Sequence, residues 1–397
     1  MSYNLLLYGA TGYTGRLIAA EGQSAGMSRQ EPRGDCRMIL AGRDGPALSR
    51  IARDRSMDFR VFALDDPSAM RRGLDAVDVV INAAGPFAFT AEPLVSAALE
   101  VGCHYVDING EVDVYLKLKD LASKNAKKNV AIVSGAGMSA AASDVLFDLA
   151  LQSLLREQPT PRSLNAVRIA HSSVMDVSRG GAVTAARLLR DSVVVVRVGP
   201  GDGAGDCCKP SGQMAIRYEP VGKLEHAFDF GRPEACAARI ASAVSAIDTI
   251  TAKYTAERRG LTARAILSYL QMGTVCRFAY QIAATLSPLC RFSHLRGLTQ
   301  AQLGLAPDGP TRKERDEERH AIVLEIDDMF GSRVLQWRME TPNVYQLAAQ
   351  LAVGTAKAVA HREGADRMGW VTPADALGLG GIGDDPLRNC TLDRLTG

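Results

Sequence analysis

Short apolar runs alternate with helix-length amphipathic stretches through the first third of the chain. Asn4–Tyr8, apolar from Leu5 on, stops at Gly9, and Arg16-Leu-Ile-Ala-Ala then continues with helical spacing. This predicts a buried strand that turns into a helix at about Tyr13. Further strands are predicted at Cys36–Ala41, Phe59–Leu64, Val77–Asn82, His104–Ile108 and Val130–Val133. Helices are predicted at Ser68–Gly73, Ala91–Val101 and Val112–Lys127. Strands separated by helices are βαβ units, so residues 1–135 are expected to form an α/β, doubly wound parallel sheet with ligands at the carboxyl ends of its strands.

The pattern changes after Gly135. A helix is predicted over Ser139–Leu155, a strand over Leu164–Ser172, and a helix opened by Ser178-Arg179-Gly180-Gly181. A Gly/Pro/Cys-rich loop at 199–212 precedes a helical tract from about Pro233 to Leu295, and Asp308–Glu318 reads as a charged linker. Ala321–Asp327 and Ser332–Glu340 form an antiparallel hairpin through Met329-Phe-Gly331. Residues 136–342 are thus expected to be a second, α+β domain for substrate or dimerisation. The helix Val344–Arg362 begins a tail, 343–397, expected to pack back on the first domain.

Chemistry gathers in the loops after the first strands. Gly9-Ala-Thr11-Gly12-Tyr13-Thr14-Gly15 places glycines three apart between strand and helix. A helix start offers unsatisfied N–H groups and partial positive charge to a pyrophosphate, and glycine lets the backbone approach it. The spacing is one residue longer than the usual dinucleotide fingerprint. The second strand ends in Gly42-Arg43-Asp44, where an NAD site carries an acid for the ribose 2′-OH. A guanidinium there pairs with a 2′-phosphate instead, which points to NADP(H), with Asp44 as the counter-argument. Asp65 is placed near the adenine or as a helix cap. Asn82, Ala84, Gly85 and Pro86 make a small surface over which a nicotinamide ribose would lie.

Composition narrows the classes. With 397 residues, 47% hydrophobic and 23% charged, the chain has room for two cores. A net charge of +2 speaks against a nucleic-acid partner. Met1-Ser-Tyr-Asn leads directly into the first strand, and the eight cysteines form no C-x-x-C pair; the expectation is a chain without signal peptide in a reducing, cytoplasmic compartment. Ala265–Cys290, broken by Arg277, is the nearest approach to a membrane span. It reads as a buried helical pair or a homodimer interface, with a peripheral lipid contact or an apolar tunnel as the alternative. His171, His226, His294, His320 and His361 show no metal-ligand spacing, so no metal is expected.

Several stretches together resemble the saccharopine dehydrogenase-like family, and within it the trans-acting enoyl reductases. They are Gly9–Gly15, Ala41-Gly-Arg43, Val80–Phe87, Gly102–Glu111, Ser178–Thr184, Gly309–Arg312 and Gly369–Gly378. The resemblance implies a Rossmann domain, NADP(H) and hydride transfer to an activated C=C bond of a lipid- or polyketide-like substrate, small or carrier-bound. The sister enzymes make or break C–N bonds through imines, and an imine reductase or a non-catalytic NADP-binding scaffold at lipid surfaces stay open as alternatives. Gly135–Asp144 and Thr341–Tyr345 depart from the family pattern. Tyr105, Asp107 and Glu111 are the catalytic candidates, with Tyr105 or Glu111 as the acid; Asp107 and Glu111 equally suit caps that fix the loop. Arg179 is the candidate for a substrate carboxylate, and Gly180 and Gly181 for backbone donors to a thioester oxygen.

Overall fold

The computed structural model describes residues 3–29, 35–125, 129–157, 163–172, 193–198, 214–219, 224–231, 239–244, 246–272, 308–361, 368–378 and 386–396. The described elements begin with β1 (Tyr3–Tyr8), α1 (Tyr13–Ser24), β2 (Cys36–Gly42), α2 (Gly45–Arg55), β3 (Asp58–Val61) and α3 (Pro67–Gly73). β4 (Val79–Asn82), α4 (Phe87–Val101), β5 (His104–Asp107), α5 (Val112–Lys124) and β6 (Ala131–Val133) follow. A π-helical turn, Met138–Ala142, leads into α6 (Ser143–Glu157), β7 (Ser163–His171), β8 (Val193–Val198), β9 (Met214–Glu219), β10 (Glu225–Phe228) and β11 (Arg239–Ala243). Next come α7 (Asp248–Arg258), β12 (Thr262–Gln271), α8 (Arg312–Glu317), β13 (Arg319–Asp327) and β14 (Arg333–Pro342). The last are α9 (Val344–Ala360), β15 (Gly369–Trp370), α10 (Pro373–Leu377) and β16 (Thr391–Thr396).

The chain divides into two compact units. The first takes Met1–Ala141, Val344–Leu379 and Asp384–Arg388. Its seven strands run in the order β15-β6-β5-β4-β1-β2-β3, and every pair is parallel. Strand alternation sorts the side chains. Leu5 and Leu7 of β1 face a core built with α1, α2 and α9, while Leu6 and Tyr8 face one built with α3, α4 and α5. The sheet is therefore doubly wound, a Rossmann arrangement, and the strand order reverses between β1 and β4. α9 lies along α1 and over β4 and β5, and β15 then adds parallel to β6. The returning segment thus supplies a crossover helix and a seventh strand. The helix α2 was not anticipated from the pattern, because only Leu48 and Ala52 of its eleven residues are buried.

The second unit takes Ala142–Asn343, Gly380–Gly383 and Asn389–Gly397. Its sheet has β7 and β12 parallel at the centre and antiparallel partners around them. The expected hairpin is present as β13 and β14, in register from Arg319↔Pro342 to Asp327↔Arg333. Two expectations are corrected. The tract Pro233–Leu295 is not one helical stretch: 239–243 and 262–271 are strands around the helix α7. Ala265–Gln271 lies in a central strand, paired with β7 on one side and with β8 and β11 on the other. A strand buried on both faces reads as a continuous apolar run, which periodicity does not separate from a buried helix. The remainder of that stretch, from 273 on, lies outside the described residues. The tail also divides, since β16 pairs with β14 in the second unit rather than following α9.

Candidate functional site

The carboxyl edge of the first unit's sheet is built from the loops that leave β1 to β6. At the first of them, three glycines have three different reasons to be glycine. Gly9 has φ +88°, and a Cβ there would sit 2.7 Å from Ala84 N. Its place is a close crossing of the β1 and β4 loops, at the reversal of strand order. A Cβ on Gly15 would lie 2.1 Å from Gly9 O, so the first turn of α1 rests directly on the preceding turn. A Cβ on Gly12 would meet only Gly9 O, at 3.3 Å. Gly12 is the N-cap of α1 and no side chain caps that end. A helix start left open, with backbone exposed in front of it, fits a pyrophosphate. Thr11, Tyr13 and Thr14 are half-buried around it.

Beyond β2, the two neighbouring residues Arg43 and Asp44 have separate duties. Asp44 accepts the Ala47 N–H at 2.9 Å and caps α2. Its carboxylate is engaged there, while Arg43 is exposed. After β3, Asp66 caps α3 through Ala69 N–H at 2.9 Å. The capping role open to Asp65 thus belongs to its neighbour, and Asp65 is exposed. Tyr8 marks where these charges converge: burial raises its phenol pKa, which Arg43 lowers and Asp65 raises.

The β4 loop is held from beneath. Asn82 is fully buried; its Oδ1 accepts Ala84 N–H at 3.0 Å and its Nδ2 donates to Tyr105 Oη at 3.0 Å. Asn82 therefore shapes the loop rather than presenting its amide at the surface. Gly85 and Pro86 are exposed, and Phe89 in the first turn of α4 is 70% exposed. Ala84, Pro86 and Phe89 give this part of the edge an apolar surface.

The three catalytic candidates form the support below that surface. Tyr105 is 0% exposed and donates to Asp107 Oδ2 at 3.0 Å. Asp107, also 0% exposed, accepts Asn109 N–H at 3.0 Å, Gly135 N–H at 2.8 Å and Ser134 Oγ–H at 2.8 Å. Glu111 accepts Phe87 N–H at 3.1 Å and Ala88 N–H at 3.3 Å, closing the start of α4 rather than α5. These contacts join the β4, β5 and β6 loops into one network, with Asn109 and Ser134 as members that sequence reasoning missed. Burial pushes the Asp107 carboxyl up to about 6, against the four hydrogen bonds that hold it down. It also carries the Tyr105 phenol well above its ordinary value.

A pH dependence of stability follows. The folded pKa of Asp107 lies above the unfolded one, so its contribution is fullest below about pH 4 and declines as pH rises through about 6. Asp107→Asn reproduces the protonated form, with one oxygen left for the Asn109 and Gly135 N–H groups. It is expected to flatten the stability profile between these limits and to cost under about 1 kcal/mol at neutral pH, whereas Asp107→Ala costs about 2–4 kcal/mol. Denaturant unfolding across that range checks both.

Tyr13 meets Tyr345 of α9 edge-on, with ring centroids 5.1 Å apart, so the returning helix reaches the glycine loop. Arg179, Gly180 and Gly181 lie outside the described residues. His171 and His320 come together in the second unit at 3.3 Å. The sequence signal for this is nil, as 149 positions separate them. Asp35, Cys36 and His361 are near enough to hold a metal ion. His361 already donates to Asp35 Oδ2 at 2.5 Å and to Lys357 O at 2.7 Å, and both contacts raise its pKa, so the group is satisfied as an ion pair.

Residues 5–133 match the family model described as saccharopine dehydrogenase NADP binding domain. The human saccharopine dehydrogenase-like oxidoreductase is 25% identical over 158 residues, 36% of this chain and 36% of that protein. A lipid droplet localized protein of Caenorhabditis elegans is 32% identical over 160 residues, 36% and 35% of the two chains. A trans-acting enoyl reductase of Mycobacterium leprae is 28% identical over 149 residues, 36% and 34%. These matches span little more than a third of each relative. Among solved structures, apo saccharopine dehydrogenase (L-Glu forming) of Saccharomyces cerevisiae shares the fold, with TM-score 0.60, 13% identity and coverage of 100% of both chains. Homospermidine synthase of Legionella pneumophila in complex with NAD follows, with TM-score 0.56, 10% identity and coverage of 94% and 87%. Among the described residues no helix is long and apolar enough to cross a membrane.

Proposed function

We propose that this chain, whose residues 5–133 match the saccharopine dehydrogenase NADP binding domain family model, is an NADPH-dependent reductase of an activated C=C bond in a lipid- or polyketide-like acyl substrate. The observation that carries the cofactor half is the division of labour after β2, where Asp44 caps a helix and Arg43 is exposed for a 2′-phosphate. The acyl half is supported by the apolar surface of Ala84, Pro86 and Phe89 beside the β4 loop. It is also supported by the mycobacterial relative's name. The cofactor supplies a hydride when bound. The chain's own part is to seat the pyrophosphate at the open α1 start, to hold the β4 loop through Asn82 and through Thr90, whose hydroxyl donates to Ala84 O at 2.5 Å, and to offer an apolar face to the acceptor. Tyr105, Asp107 and Glu111 hold the loops in place, because each donates or accepts within the buried network.

The test is NADPH and NADH consumption by the full chain with enoyl thioesters, and separately with 2-oxo acid plus amine mixtures. Consumption of NADPH with enoyl thioesters, at least about tenfold faster than NADH, is expected. Consumption with only the amine mixtures replaces this reading by imine reduction. NADPH binding without consumption by any acceptor replaces it by a scaffold.

A further inference from the structure

α1 carries a cation where its own dipole disfavours one. Arg16 follows Gly15 directly and stands at the opening of the helix that starts at Tyr13. A helix start holds partial positive charge, so acids suit the first turn and bases the last. The first turn of α1 has no acid, and no side chain caps that end. The one acid of the helix, Glu21, is engaged elsewhere, accepting from Arg388 at 2.7 Å. Among the described residues the Arg16 guanidinium meets no carboxylate; its hydrogen bond runs from Nη1–H to Thr11 O, at 2.7 Å.

Helix geometry explains where that side chain goes. Cα–Cβ bonds tilt toward the N-terminus, so a side chain covers the turn before its own Cα. For Arg16 that turn is the open start of α1, and the bond to Thr11 O holds the guanidinium there. Thr11 belongs to the glycine loop and is half-buried, and Gly12 beside it is exposed. Among the described residues the N–H groups of Thr14 and Gly15 find no acceptor. Two backbone donors, a helix start and a half-buried guanidinium thus stand together, all of one sign. An arginine on a helix surface ordinarily pairs with an acid or extends into water. This one is anchored by a carbonyl, which cannot neutralise it. A partly desolvated cation beside a dipole end of the same sign is unfavourable, and an anion at the same place relieves both penalties.

We propose that Arg16 binds the pyrophosphate of the dinucleotide, adding a charged donor to the backbone N–H groups of the loop. The assignment rests on the cofactor half of the reading above and not on the acceptor. One guanidinium N–H is spent on Thr11 O, and the others remain to donate to phosphate oxygens. The bond to Thr11 also orders the side chain before the ligand arrives, which spares entropy that a free arginine loses on binding. Arg16 and Arg43 then differ in what they recognise. The pyrophosphate is common to NADPH and NADH, so Arg16 sets the affinity for both, whereas Arg43 separates the two. A cation placed for a ligand in this way brings the empty protein no stability.

Arg16→Gln and Arg16→Lys in the full chain test this. Glutamine loses the charge and keeps an amide donor for Thr11 O, while lysine keeps the charge and loses the fork. In Arg16→Gln, Kd by fluorescence titration is expected to rise about 10- to 100-fold for NADPH and by the same factor for NADH, leaving their ratio unchanged. Arg16→Lys is expected to recover part of that loss. The fall of affinity with salt should become shallower in Arg16→Gln, and inorganic pyrophosphate should displace NADPH less well than from the wild-type chain. Tm without ligand should hold or rise. Unchanged Kd for both cofactors overturns the assignment and leaves the cofactor site standing. A rise confined to NADPH gives the guanidinium to the 2′-phosphate and overturns it too. Weaker binding with a lowered Tm and an unchanged salt dependence overturns it by reducing Arg16 to a staple on the Thr11 carbonyl. A wild-type chain that binds neither nucleotide overturns the cofactor reading and this assignment together.

Discussion

Gly15→Ala is expected to remove NADPH binding, raising Kd by at least about 100-fold, near 2.7 kcal/mol. The new Cβ would sit 2.1 Å from Gly9 O, 2.9 Å from Gly9 C and 3.0 Å from Ala10 Cα. All three are backbone atoms, so no side-chain rotation relieves the contact. Gly9 itself stands at a close crossing, where a Cβ of its own would sit 2.7 Å from Ala84 N. α1 must therefore lift from the loop, and its open start moves away from the pyrophosphate. Overpacking of this kind also costs about 1–3 kcal/mol of stability. Gly12→Ala separates the two effects. Its Cβ meets only Gly9 O at 3.3 Å, so the fold is expected to keep nearly its full stability while the methyl group obstructs the ligand. Fluorescence titration with NADPH and denaturant unfolding of both variants measure this; wild-type Kd in Gly15→Ala would sink the assignment of the loop.

The same loop shows what a sequence discloses and what it withholds. A glycine spacing and an apolar run are local, and β1, the turn and α1 follow from them. β1 to β6 were legible for the same reason, since short apolar runs between helix patterns leave a short-range trace, whereas β15, two residues long, leaves none. Of the acids at these strand ends the sequence offered only Asp65 as a cap, and the hydrogen bonds of Ala47 and Ala69 give that role to Asp44 and Asp66 instead. The role of Glu111 depends on Phe87 and Ala88, which precede it by more than twenty positions. Pairings at such separations leave no periodicity. β12 was misread because a strand covered on both faces loses its alternation. The His171–His320 pair lies at the far end of this scale, as two solitary histidines in sequence and one stacked pair in the sheet.

Arg43→Asp is expected to reverse the cofactor preference. With the wild-type chain, NADPH should bind about 100-fold more tightly than NADH, since a guanidinium on a 2′-phosphate makes charge-assisted, paired hydrogen bonds. Arg43→Ala removes the fork and is expected to weaken NADPH by about 10- to 100-fold while leaving NADH nearly unchanged. Arg43→Asp goes further, because it sets a carboxylate against the phosphate and offers an acceptor to a ribose 2′-OH. Asp65 is exposed on the same margin of Tyr8, so the added charge in Arg43→Asp joins one already there and deepens the repulsion. Asp44 is the control. It stands next to Arg43 but spends its carboxylate on Ala47 N–H, so Asp44→Ala should cost about 1 kcal/mol of stability through the lost cap and leave the NADPH/NADH ratio as it was. A shift of that ratio in Asp44→Ala, or equal affinities for the two cofactors in the wild-type chain, would remove Arg43 from the 2′-phosphate. The pairing of variants matters because the two side chains are adjacent, oppositely charged and at the same strand end. A general change in surface potential would move both ratios, whereas contact with one phosphate moves only the one that Arg43 makes.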